Sequence, residues 1–309
     1  MGGLVLRLLP RERADEPASG RGGSRLVGQG FFEQLRDRLL SFADPQILQR
    51  IDALPRHNLN EFGVDPFGYD PEAVKLVVPL LMFLKQRWFR CEVHGIDNIP
   101  REGRFLLIGN HSGQLPFDAA MIGTSVLADA PRPRLVRSMV ERWSAELPFF
   151  SSLFVRTGQV VGDPVTCTRL LEAEEAVMVF PEGARGINKL FSQRYQLSSF
   201  GHGFMRLAME TRSPIVPIAV IGAEEQAPAI ADIRPLARLL GFPALPVIFP
   251  QLLPLPLPVK YRLWFGEPME FRGDADEDDD VVAGHVKKVK HTIQRMIASG
   301  LDQRRSVFF

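Results

Sequence analysis

The chain has 309 residues, 45% hydrophobic and 24% charged, which is enough for a core that folds without staples. Its 37 basic and 36 acidic residues leave a net charge of +1, so nothing supports nucleic-acid binding by neutralisation of a phosphate backbone. Two cysteines, Cys91 and Cys167, give neither a C-x-x-C pair nor a disulfide framework, which argues against a structural zinc site and a small secreted scaffold.

Residues 1–30, rich in Gly, Arg, Glu and Ser, read as a mobile arm, and the apolar run Gly2–Leu6 is too short for an export signal. Residues 31–89 read as a helical extension suited to a membrane surface. It opens with amphipathic pieces such as FFEQLRDRLLSFA and ends in the apolar Ala73–Phe89, with Pro79 in its middle and Lys85, Arg87 and Trp88 at its close. No stretch of about 18 apolar residues lacks both charge and proline, so a simple spanning helix is not expected.

From Arg104 onward strand and helix signals alternate. Strands are expected at Phe105–Asn110, Arg134–Met139, Leu153–Arg156, Ala176–Phe180, Ile215–Gly222 and Tyr261–Phe265. Helices are expected at Phe117–Leu127, from Asp163-Pro164 to Glu175, and at Phe200–Thr211, where Met205 and Met209 face the core. This order predicts an α/β fold, a mixed and mostly parallel sheet flanked by helices, with functional groups just beyond the strand ends. Gly241–Val259 carries no charge and six prolines, and is the second segment suited to membrane contact. Asp274–Asp280, six acidic residues in seven, reads as a solvated loop. The helix after it places Val282, Val286, Val289, Ile293, Met296 and Ile297 at steps of three and four, a face that packs on the domain.

Two turns carry chemistry. Asn110-His111-Ser112-Gly113-Gln114-Leu115-Pro116-Phe117-Asp118 puts a histidine at a strand end and a carboxylate at the next helix start, where it can fix the ring's tautomer. Gly109-x-x-x-Gly113 is not a nucleophile elbow, because its centre is His111 rather than serine. Phe180-Pro181-Glu182-Gly183-Ala184-Arg185-Gly186 combines a tight turn, a fixed carboxylate and an arginine suited to a phosphate fork. His202 reads as a loop or phosphate-contact residue. His57, His94, His285 and His291 lack acidic or cysteine partners at ligand spacing, so no metal is assigned.

Together the two turns resemble the glycerolipid (lysophospholipid) acyltransferase superfamily, which pairs an H-x4-D motif with a later F-P-E-G-T-R motif. Leu153-Phe154-Val155-Arg156-Thr157-Gly158 resembles its intervening block, Phe200–Ala208 its F-K-K-G-A-F-R-L-A stretch, and Ile215-Val216-Pro217-Ile218 its V-P-V strand. Three features depart from the pattern. The spacing is H-x6-D, with Pro116 at the usual partner position; Ala184 replaces threonine; and HSGxLPxD with Val220–Glu225 is closer to the diacylglycerol-acyltransferase-like branch.

The resemblance implies an acyltransferase domain over residues 90–300, with His111 as general base and Asp118 as its partner. Arg156 and Arg185 would bind an acidic head group, and Glu182 and Gly183 would shape the acceptor site. Backbone amides from Ser112 to Gln114 are candidate oxyanion donors. The implied reaction is O-acylation of a glycerolipid, with 1-acylglycerol-3-phosphate first among acceptors. Acyl-CoA or acyl carrier protein serves as co-substrate, with no further cofactor, at the cytoplasmic face of a membrane as a peripheral or monotopic protein. The alternatives are a neutral acceptor such as monoacylglycerol or diacylglycerol, and a catalytically idle lipid-binding protein of the same fold.

Overall fold

A computed structural model describes residues 34, 36–56, 58–111, 116–140, 150–187, 189–233, 246–248 and 255–308. The helices before the sheet include α1 (Pro45–Asp52) and α2 (Pro71–Phe83), each opened by an aspartate whose carboxylate accepts a first-turn N–H and by a proline in that turn. Strand β1 (Glu92–His94) follows, then β2 (Phe105–Gly109), α3 (Phe117–Asp129), β3 (Val136–Val140), α4 (Phe150–Arg156) and β4 (Val160–Val161). Next come α5 (Pro164–Glu172), β5 (Ala176–Val179), the single-turn α6 (Ala184–Ile187), α7 (Gly203–Thr211) and β6 (Ile215–Ile221). A short pair, β7 (Ala229–Asp232) and β8 (Pro246–Ile248), precedes β9 (Arg262–Phe265) and the long α8 (Asp279–Gln303).

Among the described residues, seven strands form one sheet in the order β1-β9-β6-β2-β5-β3-β4, and β7 pairs with β8 in a separate ribbon. All neighbours in the large sheet run parallel except β6 and β9, so the sheet is mixed and mostly parallel, as the alternation predicts. The central strands read FLLIG and IVPIAVI, and every residue in them is buried, because helices cover both faces. On one face α5, α7 and α8 supply Leu170, Met205, Met209, Val282, Val286, Val289, Ile293 and Ile297. On the other, α3 supplies Met121, Ile122 and Val126. Helices α1 and α2 then pack on the outside of α3, through Ile47, Ile51, Val74 and Val78 around Leu127.

One expected strand is a helix. Leu153–Arg156 forms the end of α4, with Leu153 and Val155 exposed, and the third strand is instead the two-residue β4. A four-residue apolar run carries too little periodicity to separate the two forms. Gly158, at φ 93°, accepts the left-handed conformation that ends the helix. The expected arm at 1–30, His57 and the Ser112–Gln114 amides lie outside the described residues, as does most of the Pro-rich segment, 241–245 and 249–254. Among the described residues, no helix is long and apolar enough to cross a membrane.

Candidate active site

Parallel pairing brings the two turns together. Ile108 of β2 is in register with Val179 of β5, and Gly109 with Ile218 of β6, so the chain segments leaving β2 and β5 emerge side by side. Asn110 is fully buried and clamps this exit: its amide nitrogen donates to the Val220 carbonyl at 3.0 Å, and its oxygen accepts the Val220 N–H at 2.8 Å. The chain direction at His111 is therefore set by β6 as well as β2.

His111 Nδ1 lies 2.8 Å from Asp118 Oδ2. The H-x6-D spacing reaches this contact because α3 begins only at Phe117, which puts Asp118 in its first turn, where the helix dipole favours a carboxylate. Asp118 is wholly buried, and its other oxygen accepts the Ala119 N–H at 2.7 Å. The His111 ring lies flat on Phe180, with centroids 4.2 Å apart and planes 12° from parallel, and its side chain keeps 16% exposure. With Nδ1–H directed at Asp118, Nε2 is left carrying the lone pair. This arrangement can accept a proton from a hydroxyl and stabilise the imidazolium by charge and by the aromatic face.

Glu182 bridges the two turns. It is 1% exposed; Oε1 accepts the His111 backbone N–H at 3.3 Å and Oε2 accepts the Ser198 N–H at 2.6 Å. Gly183, at φ 57°, makes the turn that sends α6 back across His111. Gly186 then approaches so closely that a Cβ there would stand 2.9 Å from Glu182 Cβ and 3.0 Å from His111 Cβ.

The two predicted arginines part company. Arg185 follows Glu182 on α6 with its side chain exposed to solvent. Arg156 ends α4 and is paired to Asp70, the cap of α2, at 2.6 Å. His202 caps α7 and faces Asp279 at 3.8 Å, while Asp279 also accepts from Arg206 at 2.7 Å, which accounts for one carboxylate of the acidic run. Burial pushes the Cys91 thiol up to about 12 and that of Cys167 to about 11, so neither is poised as a nucleophile. Among the described residues, no cluster of three His, Cys, Asp or Glu side chains is arranged to hold a metal.

Several residues escape the sequence reading. Phe180 was legible as motif, not as the platform for the imidazole. Lys189 sits with its ammonium 3.0 Å from Glu182 Oε2 and 3.6 Å from Glu224 Oε1, contacts between parts of the chain with no common pattern. Asn110, closing the strand, carries a signal in being polar at the end of a buried run.

Comparison with known proteins supports the acyltransferase superfamily. A family model described as Acyltransferase matches residues 90–221, which includes both turns and all of β6. An uncharacterized protein of Mycobacterium tuberculosis is 38% identical over 275 residues, covering 85% of this chain and 77% of that protein. The chain belongs to the acyltransferase family. A human protein named as a DGAT1/2-independent enzyme synthesizing storage lipids is 25% identical over 217 residues, covering 68% of this chain and 61% of that protein. Among solved structures, the 1-acyl-sn-glycerophosphate acyltransferase PlsC of Thermotoga maritima is similar at 17% identity, with a TM-score of 0.48, over 74% of this chain and 81% of that one. Within this acyltransferase, the segment leaving β2, the β5–α6 turn and α3 build the histidine–carboxylate site.

Proposed function

We propose that this acyltransferase moves a fatty acyl group from a thioester, acyl-CoA or acyl carrier protein, to the hydroxyl of a glycerolipid, with His111 as general base. The observation that carries the reading is the 2.8 Å contact between His111 Nδ1 and the buried Asp118 carboxylate. Nε2 takes the hydroxyl proton as the oxygen attacks the thioester carbonyl. The tetrahedral intermediate expels the thiolate, which recovers the proton from the imidazolium, leaving an ester and a free thiol. General-base catalysis of this kind contributes about 10²–10⁴-fold. No covalent acyl-enzyme is needed, because the thioester is already activated.

The acceptor we favour is 1-acylglycerol-3-phosphate, whose phosphate suits the exposed guanidinium of Arg185 beside the Glu182-Gly183 turn. A neutral acceptor is the second reading. Two things favour it: Arg156 is already neutralised by Asp70, and the human relative's name refers to storage lipids. The lipid substrate suits a protein seated on the cytoplasmic face of a membrane, and Leu80 and Phe83, exposed on α2, are apolar groups able to rest on lipid.

The test is acceptor-dependent thiol release from one acyl-CoA across a panel of lipids, with His111→Ala as the blank. Loss of release in the variant is expected, and normal release would overturn the assignment. Release with the phosphorylated acceptor, and a KM for it that rises in Arg185→Ala more than kcat falls, would select the first reading. Release with monoacylglycerol or diacylglycerol alone would select the second.

A further inference from the structure

The buried charge behind the Glu182 turn has no part in the reaction as written. Lys189 follows α6, with its side chain only 7% exposed, and its ammonium lies between two carboxylates, Glu182 Oε2 at 3.0 Å and Glu224 Oε1 at 3.6 Å. Glu224 stands in the turn after β6, where its other oxygen accepts the Tyr195 N–H at 2.7 Å. Beyond it the Tyr195 hydroxyl donates to Glu225 and accepts the Gly222 N–H at 2.8 Å, and Arg304, just past α8, pairs with Glu225 at 2.6 Å. A line of buried polar groups thus runs from the end of α8 to the carboxylate that holds the His111 backbone.

We propose that Lys189 is a positioning residue: its ammonium, seated between Glu182 and Glu224, fixes the direction of the Glu182 carboxylate and through it the backbone from which the His111 imidazole projects. This rests on the reading of His111 as the base and adds to it the group that holds the base in place. The physical reason is the cost of leaving a carboxylate of 1% exposure without a counter-charge. Without the ammonium, Glu182 must turn toward water or find another donor, and either movement pulls on His111 N–H. A displacement of about 1 Å at the reacting group costs about 10²-fold in rate. Glu224 completes the seat. Burial pushes its carboxyl up to about 7, Lys189 pulls it down, and Glu182 and Glu225 oppose that pull.

The experiment measures kcat and KM for acyl-CoA in Lys189→Met, Lys189→Arg, Glu182→Gln and the double variant Lys189→Met/Glu182→Gln. Each rate is normalised to folded protein by circular dichroism, with His111→Ala as reference. The expected result is a kcat at least about tenfold lower in Lys189→Met with KM within about twofold, and substantial recovery in Lys189→Arg. The double variant should exceed Lys189→Met in kcat, because removing both charges leaves no buried orphan. Wild-type kcat per folded molecule in Lys189→Met overturns the proposal, and so does a double variant whose losses simply multiply. If Lys189→Met does not fold, the ratio of the double variant to Glu182→Gln decides: near unity supports the positioning role, and a further tenfold loss refutes it. An active His111→Ala removes the base itself and the proposal with it, an outcome distinct from an inactive His111→Ala beside a wild-type Lys189→Met.

Discussion

Two aspartates buried against a basic side chain, one beside the sheet and one at the seam with the N-terminal helices, use similar chemistry for opposite ends. Beside the sheet, Asp118 is wholly buried while its partner His111 stays partly exposed. At the seam, Arg137 of β3 is buried with Asp65 from the loop before α2, and its guanidinium lies 5.1 Å from the Tyr69 ring centroid and 5.9 Å from that of Phe67. Both members of that second pair are enclosed, so it offers nothing to a substrate and instead ties the N-terminal helices to β3. The first pair leaves its imidazole partly open to solvent, and the second encloses both partners.

Asp118 carries the largest expected effect. Asp118→Asn keeps the side chain's size but removes the charge that orients the ring, and kcat for acyl transfer should fall by about 10²–10⁴-fold with the melting transition retained. Equal activity would make Asp118 another enclosed structural partner. Arg137→Met should do the reverse, leaving activity per folded molecule nearly unchanged while costing about 3–5 kcal/mol in urea unfolding, since Asp65 is left buried without its counter-charge. A stable Arg137→Met would show that the seam is held by apolar contacts alone.

Glu224 carries a smaller effect. Burial raises its carboxyl from the usual 4.5 to about 7, so between those values the folded protein binds more protons than the unfolded chain. Stability should therefore decline as pH rises through that window. Glu224→Gln should flatten the decline, read from urea midpoints at about pH 5 and about pH 8. The smallest effect belongs to the exposed pair at the same seam. Arg156→Ala should change stability by about 0–1 kcal/mol, because Arg156 is more than half exposed and water screens its pairing with Asp70. A rise in acceptor KM in that variant would return Arg156 to the substrate.

The comparison also shows what the order of residues makes legible. β2, β5 and β6 declare themselves because a strand covered on both faces must be apolar throughout, as FLLIG and IVPIAVI are. His111 and Asp118 are close in sequence, and a strand end followed by a helix start leaves few geometries for them. The stacking of Phe180 on His111, the reach of Lys189 to Glu224 and the Arg137–Asp65 tie join segments tens of residues apart, through register that only the assembled sheet supplies. Leu153–Arg156 misleads for a different reason: Leu153 and Val155 are exposed on a short helix, so hydrophobicity there does not report burial.

The close approach at Gly186 has a consequence for how this enzyme can diversify. A methyl group there would collide with the β-carbons of both Glu182 and His111, atoms that cannot swing aside without carrying their backbones along. Any remodelling of the loop to admit a bulkier or differently charged acceptor must therefore proceed through neighbouring positions and keep a bare hydrogen at this one. The single α-carbon works as a spacer that holds the Glu182 and His111 turns at a fixed gap.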